Sequence, residues 1–245
     1  MAAGESDLDE KKLVSIIIPT LNEAAMIAAT LESVAAQAGL IEVIISDGGS
    51  DDATIELAQA HAAKLRLDLR VVNSNRGRAR QLNSGARAAR GAVLWFLHAD
   101  TRPPPEAATR IRKALLRPTV VGGCFRLRFD RDGLWYRVYE WRIWSRRLAL
   151  AFGDRAQFAR ATTFRSVGGF PDQDLFEDLE LARALARVGD FVFLDDVVTT
   201  SSRRFHRNGA VRQQLMNGLL WTGWVARIRP ERLKQYYSDV TGERD

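Results

Sequence analysis

An open α/β fold, with a mostly parallel sheet and helices on both faces, is what this sequence predicts, and three observations carry the prediction. Short β-branched apolar runs alternate with helical stretches through the first hundred residues. Those runs are nearly continuous in apolar residues, as strands covered on both faces are. Segments rich in glycine, acids and asparagine follow the runs, at the edge where open α/β sheets bind ligands.

The elements follow in order. Residues 14–18 form a first strand, stopped by Pro19, and residues 23–37 carry Ile27, Leu31 and Val34 at helical spacing. A second strand over 42–46 leads through the loop 47–52 into a helix through Leu57. A strand over 69–72, a helix over 78–90 and a strand over 92–97 complete the regular half. The second half is less regular. It reads as a long strand over 120–130, an aromatic helix over 134–150, a short strand over 157–161, a helix over 174–188 ended by Gly189, a strand over 191–194 and a helix over 211–227. With no repeat or flexible linker, one domain over 13–208 is expected, after a disordered tail over 1–12 and before a helical segment over 209–245.

Composition narrows the function. Of 245 residues 46% are hydrophobic and 27% charged, the balance of a globular protein with a full core. The net charge of +6 comes mostly from arginine, which suits bidentate phosphate recognition, although codon bias explains most of it. The arginines are not grouped with aromatics into a nucleic-acid module, so no nucleic-acid partner is expected. The single Cys124 excludes an internal disulfide framework. No apolar run approaches the roughly 18 residues of a membrane span. A cytoplasmic protein is expected, soluble or peripheral at the inner face of the membrane, where the helix over 211–227 with its flanking arginines is the candidate contact.

Three loops converge at the carboxyl edge. The strand ending Trp95-Phe-Leu-His-Ala-Asp100 is followed by Pro103, Pro104 and Pro105, so it stops abruptly and presents His98 and Asp100. A carboxylate there can hold a divalent cation, and the cation a diphosphate. Taken alone, the loop at Asn22 and Glu23 reads first as a helix cap, and the loop Ser-Asp-Gly-Gly-Ser-Asp-Asp at 46–52 also reads as one, through Ser50 or Asp51. Glu177 and Asp178 open a helix, either as decoration of its first turn or as a base.

A strand ending in Pro-Thr-Leu-Asn-Glu, a second ending Ser-Asp-Gly-Gly-Ser-Asp-Asp and a third ending His-Ala-Asp together resemble glycosyltransferase family 2, over residues 14–206. The stretch 77–104, with Gly153-Asp154, Gly-Gly-Phe-Pro at 168–171 and Glu177-Asp178, is similar to a small bacterial subgroup, some members of which are associated with arsenosugar biosynthesis. The resemblance implies a GT-A, Rossmann-like fold with a nucleotide-sugar half over 13–102 and an irregular acceptor half over 103–208. It also implies a metal-dependent transferase that moves a sugar from a nucleotide donor to an acceptor hydroxyl with inversion. By the same resemblance Pro19, Asn22, Glu23, Asp47 and Gly48 line the nucleoside pocket, Arg76 and Arg80 lie near base and diphosphate, and Asp100 is the last acid of the DxD motif, holding Mg²⁺ or Mn²⁺. Asp178 of the ED motif is the base, and Gly153, Asp154, Gly168 and Gly169 fall in the acceptor region. Arg203 and Arg204 are candidates for the diphosphate, and His98 and His206 for further metal ligands. Gly48 stands where the family has a base-reading acid, leaving the donor open between UDP- and GDP-sugars, and His98 replaces the first acid of DxD. The acceptor is a small molecule or a lipid. A retaining transferase of the same fold, or a non-catalytic nucleotide- or nucleic-acid-binding protein, is the alternative. The aromatic run Trp135, Tyr136, Tyr139, Trp141 and Trp144 offers faces for a sugar, but core packing explains most of it.

Overall fold

The structure is a computed structural model that describes residues 12–143, 147–203, 210–228 and 232–233. Eight strands form one sheet: β1 (Val14–Thr20), β2 (Ile41–Asp47), β3 (Leu69–Asn73), β4 (Val93–Phe96), β5 (Thr101–Arg102), β6 (Val120–Phe129), β7 (Phe158–Arg160) and β8 (Asp190–Thr200). Their order is β3-β2-β1-β4-β7-β6-β8-β5. The β3-β2-β1-β4 half is parallel, and so is the β6–β8 pair. β7 is antiparallel to both of its neighbours, β4 and β6, and so stitches the two parallel parts together.

The helices are α1 (Ile27–Ala35), α2 (Thr54–Leu65), α3 (Arg78–Ala88), α4 (Ala107–Ala114), α5 (Leu134–Ile143), α6 (Ala161–Ser166), α7 (Glu177–Ala186) and α8 (Ala210–Val225). They lie on both faces, as the sequence predicts. Val14, Ile16 and Ile18 of β1 pack with Ile27, Leu31 and Val34 of α1, Ala58 of α2 and Ile111 of α4. Ile17, from the other face of the same strand, packs with Ala79, Leu82 and Ala86 of α3, Phe164 of α6, and Leu181 and Leu185 of α7. α3 and α7 therefore share a face. α8 packs on α7 through Leu220 and Trp224, against Leu179, Ala182 and Phe176.

Several expected boundaries move. β1 runs through Pro19 to Thr20 instead of stopping at the proline. The β1–β4 pairing ends at Ile17, whose carbonyl takes the Leu97 N–H. Pro19 has the same strand parity as Ile17, so its missing N–H faces a side with no ladder left to serve. α1 begins at Ile27, after a turn in which the Met26 and Ile27 N–H groups both donate to the Glu23 carbonyl. α2 continues beyond Leu57 to Leu65. α4, α6 and β5 were not anticipated, and β8 is far longer than 191–194. The aromatic helix is described as far as Ile143, residues 144–146 with Trp144 lie outside the described residues, and a short 3₁₀ turn covers Leu148–Leu150. Tyr136 and Tyr139 both stack on Phe129, with centroids at 5.2 and 5.5 Å, which is core packing.

Candidate active site

The loops after β1, β2 and β4 open on one edge, and side chains lock them to each other. Asp47 closes β2. Its Oδ1 accepts from Thr20 Oγ1 (2.9 Å) and Ser50 Oγ (2.6 Å), and its Oδ2 from the Gly49 and Ser50 N–H groups (2.9 and 2.8 Å). Burial opposes its charge, but the bonds from Ser50, Thr20 and Gly49 outweigh that and hold the carboxyl below its ordinary range. Asp47 thus organises its loop and has little capacity left for a ligand. Gln81 of α3 lies over Gly48 and donates to the Thr20 carbonyl (2.6 Å) and the Ser46 carbonyl (3.0 Å). A Cβ at Gly48 would sit 3.0 Å from that carboxamide.

The cap reading of Asn22 does not hold. Asn22 has φ 56°, five residues before α1, and pairs with the second loop: its N–H donates to Ser50 Oγ and its Oδ1 accepts from the Asp51 N–H. Neither Ser50 nor Asp51 caps α2. The N-cap residue is Ala53, and just before it Asp52 Oδ1 accepts the Thr54 N–H at 3.0 Å.

Asp100 lies between β4 and β5, and its carbonyl accepts the Ser201 N–H, which ties it to the end of β8. Two residues on, Arg203 reaches back. Its Nη2 donates to Glu23 Oε1 at 2.5 Å and lies 3.6 Å from Asp100 Oδ2. Burial works against this guanidinium's charge, yet Glu23 and Asp100 raise its affinity for the proton above the ordinary value. The other Glu23 oxygen, Oε2, is buried with no hydrogen bond among the described residues. A hard divalent ion takes one or two protein carboxylates and completes its shell with phosphate and water. Among the described residues no three His, Cys, Asp or Glu side chains cluster as a metal cage. The Asp100 carboxylate therefore suits an ion bound jointly with a diphosphate better than a closed protein cage.

The acids of α7 lie near the same β4 loop, across Gly153 from His98. Glu177 is fully buried and forms an ion pair with Arg78 Nε, from the first turn of α3. Asp178 Oδ2 accepts the Gly153 N–H at 2.5 Å and lies 3.9 Å from Arg78 Nη2, and its Oδ1 accepts its neighbour Leu179's N–H at 2.7 Å. Burial first, then the Glu177 charge, pushes the Asp178 carboxyl up to about 7, against the pull of Arg78 and the two N–H groups. Gly153 permits this packing: a Cβ there would lie 3.1 Å from Asp178 Oδ2 and 3.4 Å from His98 Nε2. His98 therefore borders the Asp178 side of the cleft, and the β4 loop touches both parts of the site.

Other expected residues fall farther out. Arg76 is exposed in the β3–α3 loop, and its carbonyl accepts from Arg80. Arg80 pairs with Asp172 at 2.8 Å, over an open depression of about 660 Å³ that Asn73, Asn75, Asn83 and Arg87 also line. Gly168 and Gly169 form a turn with φ 88° and 73°, and Asn83 clasps that turn through the Phe170 N–H and carbonyl. This pins the segment before α7 onto α3. Arg204 and His206 lie outside the described residues. The sequence reading missed Arg78, Gln81 and Thr20. The run Gly-Arg-Ala-Arg-Gln-Leu-Asn at 77–83 held two of them, without any sign of what they touch.

The comparisons agree with this architecture. The glycosyl transferase family 2 model matches residues 15–170, and the chain belongs to that family. An undecaprenyl-phosphate 4-deoxy-4-formamido-L-arabinose transferase of Aeromonas hydrophila is 34% identical over 132 residues, which cover 51% of this chain and 40% of that protein. A PGL/p-HBAD biosynthesis glycosyltransferase of Mycobacterium tuberculosis is 41% identical over 90 residues, 36% of this chain and 35% of that one. The matched region thus spans less than half the length of these relatives. Among solved structures, the mannosyltransferase PcManGT of Pyrobaculum calidifontis, in complex with GDP-Man and Mn²⁺, superposes with a TM-score of 0.67 at 23% identity, over 89% of this chain and 65% of that one. S. aureus TarS 1-349 superposes at 0.64 and 18% identity, over 77% and 60%. The fold is GT-A. No helix among the described residues is long and apolar enough to cross a membrane.

Proposed function

We propose that this protein is an inverting glycosyltransferase that moves a sugar from a nucleoside-diphosphate donor to an acceptor hydroxyl, with Asp178 as the general base. One observation carries the reading: the buried Asp178 carboxyl, fixed by the Gly153 N–H and faced by Arg78, lies across Gly153 from His98 of the loop that bears Asp100. Asp178 takes the acceptor proton as its oxygen attacks the anomeric carbon. Arg78 and the Gly153 N–H hold the carboxylate in place. Asp100 would hold Mg²⁺ or Mn²⁺, which supplies Lewis-acid stabilisation to the leaving diphosphate. Arg203 adds a guanidinium on the same side, and attack opposite a fixed leaving group inverts the anomeric centre.

The structural neighbours solved with GDP-Man and with UDP-GlcNAc support a nucleotide-sugar donor and leave its base open between the two. The relative that acts on undecaprenyl phosphate supports a lipid-linked acceptor, met at the inner face of a membrane.

The test joins binding to turnover. Nucleoside diphosphates at about 100-fold excess over Kd stabilise by roughly 2.7 kcal/mol. UDP or GDP with Mn²⁺ is expected to raise the wild-type Tm, and Asp100→Ala to lose the Mn²⁺-dependent part. Asp178→Asn is expected to keep nucleotide binding and to lose transfer by at least about 100-fold, with NMR of the wild-type product showing the inverted anomer. A fully active Asp178→Asn protein would exclude this base, and a retained anomer would exclude the mechanism.

A further inference from the structure

We infer that Arg78 is a positioning residue for the α7 acids: it anchors Glu177 and orients Asp178 from the first turn of α3. The inference rests on the reading of Asp178 as the base, and adds a residue and a connection to it.

Geometry comes first. Arg78 and Glu177 are 99 positions apart, and their side chains meet only because α3 and α7 pack side by side on one face of the sheet. One guanidinium serves both acids, its Nε toward Glu177 and its Nη2 3.9 Å from Asp178. Two adjacent buried carboxylates repel each other, and a buried acid with no cation beside it takes up a proton. Arg78 is the cation placed between them. Its side chain is 34% exposed while those of Glu177 and Asp178 are 1% and 7% exposed, so it forms the solvent-facing wall of the pair.

Other groups also surround Asp178. The Gly153 and Leu179 N–H groups fix its two oxygens. His98 borders it across Gly153, and Asp154 acts on the same guanidinium by its charge. The cation that meets Glu177 is Arg78, through Nε. Removing Arg78 thus leaves Glu177 buried without its cation and Asp178 with one fewer.

The titration of Asp178 tests this without any substrate. Protein labelled with ¹³C at the aspartate carboxyls is titrated by NMR, and the Asp178 signal is assigned by its disappearance in Asp178→Asn. In Arg78→Met the Asp178 midpoint is expected to rise by about 1 to 3 pH units, and in Arg78→Lys to return part of the way. Glu177→Gln, which removes the repelling neighbour, is expected to lower it. Should Arg78→Met fail to fold, Arg78→Lys and Glu177→Gln decide. An unmoved Asp178 midpoint in the folded variants overturns the inference. Loss of transfer in Asp178→Asn is a separate measurement, so a wrong base and a wrong role for Arg78 are told apart.

Discussion

Asp178 serves as a base only when deprotonated, and its burial opposes that state. With its carboxyl pushed up to about 7, activity is expected to climb as pH rises through about 7, on the acid side of the pH–rate profile. Stability runs the other way. Below the ordinary value of 3.8 the group is protonated in both folded and unfolded chains. Between there and about 7 the folded chain keeps a proton that the unfolded chain has lost, so folding weakens as pH rises, and above about 7 the deficit is constant. The neutral carboxyl's contribution is thus fully present at low pH and gone above about 7. Asp178→Asn stays neutral but turns an amide N–H toward one of the two backbone donors at every pH, so its Tm relative to the wild type is expected to be higher at about pH 8 than at about pH 4. Calorimetry at the two pH values checks this; a variant equally destabilised at both would mean that Asp178 contributes packing and no charge penalty. The Cys124 thiol shows the opposite case, a titratable group without a use. Burial pushes it up to about 12, which leaves it an unreactive core residue.

Contact between α3 and β1 decides where the site residues of α3 sit. Gly85 lets the helix lie so close that a Cβ would fall 2.5 Å from Ile17 Cγ2, and Ile17 is fully buried and has nowhere to go. Alanine gains up to about 1 kcal/mol in helix propensity and loses about 1 to 3 kcal/mol to overpacking. Gly85→Ala is therefore expected to be destabilising on balance, read as a lower urea midpoint with an unchanged slope. A stabilised variant would mean that α3 can lift off the sheet at no cost. At this scale the sequence was legible wherever large apolar residues recur. Ile27, Leu31 and Val34 marked α1, and the apolar runs marked β1, β2 and β4. α4 escaped notice because its buried side is mostly Ala107, Ala108 and Ile111, too small a stripe to show a period. β8 read as ending at Leu194 because Asp195 and Asp196 look like a loop; in the fold they pair with Arg126 and Arg110. Asp100 and Asp178 were legible because each sits where an element begins or ends. The Arg78–Glu177 and Arg203–Glu23 pairs were not, since tertiary packing alone brings partners 99 and 180 positions apart together.

Across the whole molecule, the two edges of the parallel half have different tasks. The carboxyl edge carries the site, while the amino edge is clamped by one buried acid. Glu42 at the start of β2 is fully buried. Its Oε1 accepts from Ser15 Oγ (2.6 Å) and the Arg90 N–H (2.7 Å), and its Oε2 from Arg70 and Arg90 (2.7 and 2.8 Å). Ser15 in turn accepts the Gly91 N–H, so β1, β2, β3 and the entry to β4 are joined at one carboxylate. Burial opposes the charge, yet the bonds from Ser15, Arg90 and Arg70 bring the carboxyl down to about 2 from 4.5. A depressed acid contributes stability that is present above its unfolded value and is lost as pH falls through the folded one, here between about 4.5 and about 2. At roughly 1.4 kcal/mol per unit the ionised form contributes on the order of 3 kcal/mol at neutral pH. Glu42→Gln is expected to lose most of that at pH 7, and the gap to the wild type should close on acidification toward pH 2. Urea unfolding across that range measures it. Because the network lies at the edge opposite Asp100 and Asp178, the folded variant is expected to keep the Mn²⁺-dependent stabilisation by UDP or GDP unchanged. A weakened nucleotide response in a fully folded Glu42→Gln protein would show that the amino edge sets the geometry of the binding loops as well as the strength of the sheet.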